Sequence, residues 1–207
     1  GSEMCIRDSC WPTSSLQRVL RLRIEPINSL NGTFMRITPL NKEIVMQEGD
    51  LIVSKTDIKG RITYGNRAFN EYSGFSENEL LGVQHNIVRH PDMPRAVFKL
   101  LWDKIQTGQE VFAFVKNIRK DGAYYWVFAN ITPSYDVQNN LLGYFSVRRK
   151  PSVKAIQHIQ PLYSRMLQLE QTGGPKEGMA AATEFLLSAL ASLQISYDEF
   201  VLDLQNS

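Results

Sequence analysis

Residues 111–132 have the sequence VFAFVKNIRKDGAYYWVFANIT, and this stretch decides the fold. Two runs rich in β-branched and aromatic residues flank Asp121-Gly122, a dipeptide typical of the tight turn between antiparallel strands. A third run of the same kind, Leu141 to Arg149, follows a polar segment at 135–140. We therefore predict three successive antiparallel strands.

The preceding part of the chain predicts a hairpin and then short helices. Strand-forming residues at 51–57 and 61–65 lie on either side of a Lys59-Gly60 turn. Asn66 begins a short helix that ends at Gly74. Ser76 to Glu79 opens a further turn with acidic residues at its start.

The clearest helix is predicted over residues 92–108. Asp92 is suited to cap it, and Pro94 to its first turn. Gly108 ends it, and the apolar residues that recur at helical spacing are Val97, Phe98, Leu101, Trp102 and Ile105.

This order of elements predicts an α+β fold, in which a five-stranded antiparallel sheet has its helices inserted between strands 2 and 3. Amphipathic helices flank it at both ends. Such a sheet is cupped and leaves an interior pocket that suits a planar cofactor. The pattern by itself does not identify that cofactor.

We divide the chain into three parts: an extension over residues 1–40, the domain itself over 41–151, and a helical extension over 152–207. The first part contains a tag scar at Gly1-Ser2 and a possible short helix. In the last part, Gly173-Gly174-Pro175 separates a first helix from one or two more. These helices either pack on the domain or pair with a second copy to make a homodimer.

Composition excludes several functions. The 207 residues carry a net charge of +2, too mild for a nucleic-acid partner, and no stretch predicts a membrane span. The two cysteines, Cys5 and Cys10, make neither a disulfide framework nor a metal site. Arginines interrupt the one apolar segment near the start, so we expect no signal peptide and a cytoplasmic protein. No catalytic triad, paired carboxylates or phosphate loop is evident, so we do not expect an enzyme.

At Asn66 to Leu81, His85 to Pro94, Val115 to Pro133 and Gly143 to Arg148, the sequence closely resembles the PAS domains of aerotaxis receptors. The RHPDMP string at residues 89–94 is the most specific of their motifs. The resemblance implies a PAS fold that holds FAD non-covalently, with FMN less expected, and that senses redox state or oxygen for a downstream signalling partner.

The same resemblance assigns the cofactor-binding residues. Arg, His and Asp of the family's RHPD segment are associated with FAD binding in the relatives, and a strand Asn holds the edge of the flavin ring in flavin-binding relatives. A guanidinium and an imidazole suit the pyrophosphate of FAD and the negative charge that a flavin gains on reduction. The positions that match in this chain are Arg89, His90, Asp92, Asn117 and Trp126, with His85 and Asn86 in the same segment.

Other interpretations stay open at this point. Asp92 also suits a helix cap, Asn117 a hairpin and Trp126 the core, while Arg89 and His90 also suit a solvated loop. The domain would then be a cofactor-free dimerisation or interaction module. A haem gas sensor that uses a histidine is less favoured. A flavin photoreceptor would have to work without a cysteinyl adduct, because the domain contains no cysteine.

Overall fold

A five-stranded antiparallel sheet is the centre of the fold. The computed structural model describes residues 37–207, so the predicted tag scar, the possible N-terminal helix, Cys5 and Cys10 lie outside the described residues. The strands lie in the order β2-β1-β5-β4-β3, which places the first strand beside the last. The predicted α+β fold is confirmed. The strands are β1 (Ile52–Asp57), β2 (Ile62–Gly65), β3 (Val111–Ile118), β4 (Tyr124–Tyr135) and β5 (Leu141–Arg149).

The first two helices between β2 and β3 have local caps. The Asn66 side chain accepts from the Phe69 amide at 3.0 Å, and Gly74 closes the first helix with a left-handed φ of 72°. A capping box formed by Ser76 and Glu79 starts the second. The elements are α1 (Arg67–Ser73), α2 (Glu77–Leu80), a 3₁₀ helix (His85–Val88) and α3 (Arg95–Ile105).

The helix α3 begins at Arg95, and the prediction that Asp92 caps it is wrong. The Asp92 carboxylate instead accepts from Lys116 Nζ at 2.7 Å. The free amide of Ala96 donates to Glu170 Oε1 at 2.8 Å, a partner 74 residues further along the chain. The cap therefore comes from tertiary structure, which a local pattern does not contain.

Three helices follow the sheet. They are α4 (Val153–Thr172), α5 (Met179–Leu193) and α6 (Tyr197–Asn206), and the predicted break between the first two falls at a π turn over Gly174–Gly178. Tyr163 of α4 is buried and donates its hydroxyl hydrogen to the Phe114 carbonyl of β3 at 3.1 Å. Its ring lies 6.4 Å from that of Trp126 on β4. The helix α4 thus covers one face of strands β3 and β4.

Strand register assigns each side chain to one of two faces. Residues directly opposite each other in an antiparallel pair share a face, and chain neighbours lie on opposite faces. The face that carries Trp126 beneath α4 is called the outer face. The inner face faces α1, since Tyr125 lies 5.9 Å from Tyr72 and Arg148 lies over Phe69.

Over residues 37–207, no single helix is both long and apolar enough to cross a membrane. Two consecutive helical segments with a bend between them, 176–193 and 197–206, are long and apolar enough only when they are taken together.

We predict that Glu170→Gln destabilises the protein. The Glu170 side chain is 4% exposed, and besides the Ala96 amide it binds Arg95 Nε at 3.1 Å. The amide of glutamine has only one acceptor oxygen, which forms a weaker bond than a carboxylate, and its N–H₂ group would face the other donor, either the Ala96 amide or Arg95 Nε. The free energy of unfolding, measured by urea denaturation, should fall by about 1–3 kcal/mol.

The matched control is Glu184→Gln, which changes an exposed glutamate on α5. Equal stability of the two variants would contradict a capping role for Glu170.

Candidate functional site

A group of polar side chains is buried on the inner face of the sheet, and Arg148 of β5 is at its centre. Arg148 is 4% exposed, and its Nη2 donates to Ser54 Oγ and to His85 Nε2, each at 2.6 Å. The guanidinium carbon lies 5.2 Å from the centroid of the Phe69 ring. Within residues 37–207, no carboxylate forms an ion pair with Arg148, so its bound partners are neutral.

His85 begins the 3₁₀ helix and lies between Arg148 and α1. Its ring stacks on Phe69 at 5.7 Å with an interplanar angle of 6°. Burial and the positive charge of Arg148 lower the pKa of His85 to about 3. His85 is therefore neutral near pH 7, with a proton on Nδ1 and with Nε2 as the acceptor.

Asn117 and Tyr125 lie on the same inner face of the sheet. They lie opposite each other in the β3–β4 register, and they are 4% and 0% exposed. Burial raises the pKa of the Tyr125 hydroxyl. We call Ser54, His85, Asn117, Tyr125, Ser146 and Arg148 the inner cluster.

Three buried polar atoms of the inner cluster lack a hydrogen-bond partner among the described residues. They are Arg148 Nη1, Tyr125 Oη and Ser146 Oγ. Each such atom typically costs about 1–3 kcal/mol, so folded proteins seldom keep several together without a use for them. The hydrogen-bonding capacity of these atoms and the buried aromatic rings beside them suit, in their chemistry, a planar ligand rich in carbonyl oxygens and ring nitrogens.

The RHPD segment runs along the edge strand β3. The backbone of Arg89 bridges to Asn117, and its amide donates to the Asn86 carbonyl at 2.9 Å. The Arg89 guanidinium lies 3.9 Å from the centroid of the Phe98 ring, and burial lowers its pKa to about 10. Arg89 is thus directed at α3.

His90 and Asp92 lie further along this segment, beside the outer face. His90 is 3% exposed, accepts from the Asp92 amide at 3.1 Å and meets the Tyr124 ring edge to face. Burial and Lys116 lower the pKa of His90 to about 4. Asp92, Lys116 and Trp126 line a cleft between the sheet and α4.

The structure therefore divides the residues predicted from sequence. It brings His85 and Asn117 into the inner cluster, and it places His90, Asp92 and Trp126 at the outer face. Arg89 and Asn86 lie in the segment that joins these two groups.

Sequence reasoning missed Arg148 as a site residue. The pattern of β5 contains the signal, because Tyr144, Ser146 and Arg148 alternate along one face of a strand. That alternation puts a cation on the inner face.

Comparisons with known proteins agree with this fold. A family described as "PAS fold" matches residues 62–148. The aerotaxis receptor of Escherichia coli (strain K12) is 39% identical over 115 residues, which is 56% of this chain and 22% of the receptor. A nitrogen fixation regulatory protein of Klebsiella pneumoniae is 28% identical over 109 residues, 53% of this chain and 22% of the regulator.

The chain thus spans about a fifth of the length of these curated relatives. Among solved structures, one described as "Flavin Analogue Sheds Light on Light-Oxygen-Voltage Domain Mechanism" matches 54% of this chain and 83% of its own, at 21% identity and a TM-score of 0.47. The family match, together with a five-stranded antiparallel sheet whose helices lie between β2 and β3, identifies residues 62–148 as the body of a PAS domain.

Proposed function

We propose that this PAS domain binds a flavin, FAD, in its cup and senses redox state or oxygen for a signalling partner. The observation that carries the proposal is the inner cluster. In it, a buried arginine without a carboxylate partner among residues 37–207 lies beside buried hydroxyl and amide groups and the half-buried imidazole of His85. The similarity to a protein named "Aerotaxis receptor" supports oxygen or redox as the signal. In this proposal the chain senses and does not catalyse.

The donors and acceptors of the inner cluster match the chemistry of a flavin ring. The polar edge of the ring alternates carbonyl acceptors with an N–H donor, and Asn117 offers both a donor and an acceptor. Arg148 supplies a further donor, and the aromatic rings of α1 and β4 supply flat apolar contact. When bound, the flavin would supply reversible electron uptake, which no side chain in the cluster provides.

The RHPD residues belong to the same proposal. Arg89 is adjacent in register to Asn117, so one edge of the cup carries both a ring-binding amide and a cation. We propose that Arg89, His90 and Asp92, with Asn86, hold the part of FAD beyond the ring, which FMN lacks. Trp126 would then support β4 from the outer face. Signalling would pass to a partner through the sheet or the C-terminal helices, and a homodimer through these helices is also proposed.

Two alternatives are distinguished by the same experiment. A haem bound through His85 has less support, because Arg148 already donates to the His85 lone pair that iron would need. A cofactor-free interaction module would use the inner cluster only for packing. A haem spectrum supports the first, and a protein that takes up no chromophore supports the second.

We predict that the purified chain is yellow or becomes so with FAD, and that Asn117→Ala weakens FAD binding about tenfold, as expected for the loss of a buried hydrogen bond. Fluorescence quenching during a titration with FAD and then FMN measures both affinities. Asn130→Ala is the control, because Asn130 is on the outer face of β4, where it binds Glu110 at 3.0 Å. A wild-type protein that binds neither flavin would contradict the proposal.

We also predict that acid destabilises the protein through His85. Its pKa is near 3 when folded and 6.5 in the reference state, so the unfolded chain takes up the proton first as the pH falls. Stability should therefore be lost between about pH 6.5 and pH 3, by up to about 1.4 kcal/mol per pH unit from this group.

The measurement is urea unfolding at several pH values for wild type and His85→Gln, whose slope should be shallower. His158→Gln removes an exposed histidine on α4 and should leave the slope unchanged. Parallel slopes for wild type and His85→Gln would show that His85 titrates normally.

A further inference from the structure

Resting on the proposed function, we propose that Arg148 is the residue by which the cup distinguishes the redox states of its flavin, because its positive charge favours the reduced ring. No sequence motif assigned Arg148 to the site. The proposal concerns charge, in addition to the hydrogen bonds that the other members of the inner cluster would provide.

The charge of Arg148 has no carboxylate partner, unlike the charges of several other basic residues in the described chain. Arg95 pairs with Glu170, Lys116 with Asp92, and Arg119 with Asp121. Arg148 is instead held by neutral groups, the Ser54 hydroxyl and the neutral His85 ring, and it is almost fully buried. Arg89 also lacks an ion pair among the described residues, but it is only half-buried. The field of Arg148 is therefore neither cancelled by a counter-ion nor screened by water.

The hydrogen bonds of Arg148 use only part of the guanidinium. Nη2 makes both bonds to Ser54 and His85, whereas buried Nη1 has no partner among the described residues. One side of the guanidinium is thus anchored to the sheet and to the 3₁₀ helix. The other side is left with donors for an electron-rich acceptor.

The redox step changes the charge that Arg148 would face. A neutral oxidised ring that accepts two electrons and one proton from an external reductant, such as dithionite, carries one net negative charge. Arg148 is neither oxidised nor deprotonated in this step, and it forms no covalent bond. It therefore stabilises the product state relative to the starting state, and the reduced flavin should bind more tightly.

A second consequence does not depend on flavin. Burying an ion without a counter-ion costs free energy, so in the ligand-free protein Arg148 should reduce stability. Neutralising Arg148 should then leave the urea midpoint of the ligand-free protein at or above that of wild type. A purely structural arginine would give the opposite shift, because its hydrogen bonds would be lost.

The test compares wild type with Arg148→Gln, Arg148→Lys and the control Arg149→Gln. Arg149 is the next residue along β5, on the outer face and exposed, with its guanidinium 5.1 Å from the Phe128 ring centroid. Dissociation constants for oxidised FAD and for dithionite-reduced FAD are measured without oxygen. We expect wild type, Arg148→Lys and Arg149→Gln to prefer the reduced form, and Arg148→Gln to lose at least about tenfold of that preference.

The outcomes separate the two proposals. If wild type binds FAD in neither state, the proposed function fails and this inference fails with it. If wild type binds FAD but does not prefer the reduced form, or if Arg148→Gln keeps the wild-type ratio, only this inference is overturned. Should Arg148→Gln not fold, that loss of stability contradicts the expected urea midpoint. The ratios of the two dissociation constants for wild type and Arg148→Lys are then still measured, and a lack of preference for reduced FAD in either protein overturns this inference.

Discussion

The double pairing of β5, with β1 on one side and β4 on the other, is the constraint on which the rest of the structure depends. It brings Ser54 and Arg148, 94 residues apart, within 2.6 Å, and it places the first strand beside the last. Because strand neighbours alternate, the same pairing sends Arg148 inward and Arg149 outward. A slip of one residue would exchange them and leave the inner cluster without a cation.

A second long-range contact joins the two layers of the molecule. Glu170 belongs to α4, which covers the outer face, yet its carboxylate caps α3, which packs against the inner face through Trp102 and Tyr144. The charge of Glu170 also opposes the lowering of the Arg89 pKa. The outer helix is therefore attached to the segment that carries the RHPD residues, and movement of either one changes the contacts of the other.

Local elements could be predicted from the sequence, whereas faces and long-range partners could not. Asn66, Gly74 and the Asp121-Gly122 turn act within a few residues, so their patterns are visible in the chain itself. The cap of α3 comes from residue 170, and Asp92 was the nearest local candidate for a role that belongs to a distant one. The family string named His90 and Asp92, but only the register separates them from Asn117. The inward position of Arg148 could have been predicted, because it follows Tyr144 and Ser146 at a spacing of two residues, and alternate residues of a strand share a face.

The inner cluster breaks the usual rule that buried charges are paired, and the rest of the domain makes that possible. Arg148 lies among fully buried side chains such as Phe69, Ile52 and Tyr125, whose burial contributes about 1.5–3 kcal/mol each. That reserve offsets one unpaired cation and a few unsatisfied polar atoms, which by themselves oppose folding. Departures from good packing in an otherwise consistent structure concentrate where a protein acts on something else. Three of the unsatisfied polar atoms lie together on the inner face, where a ligand would meet charge, hydrogen-bond donors and aromatic rings at once.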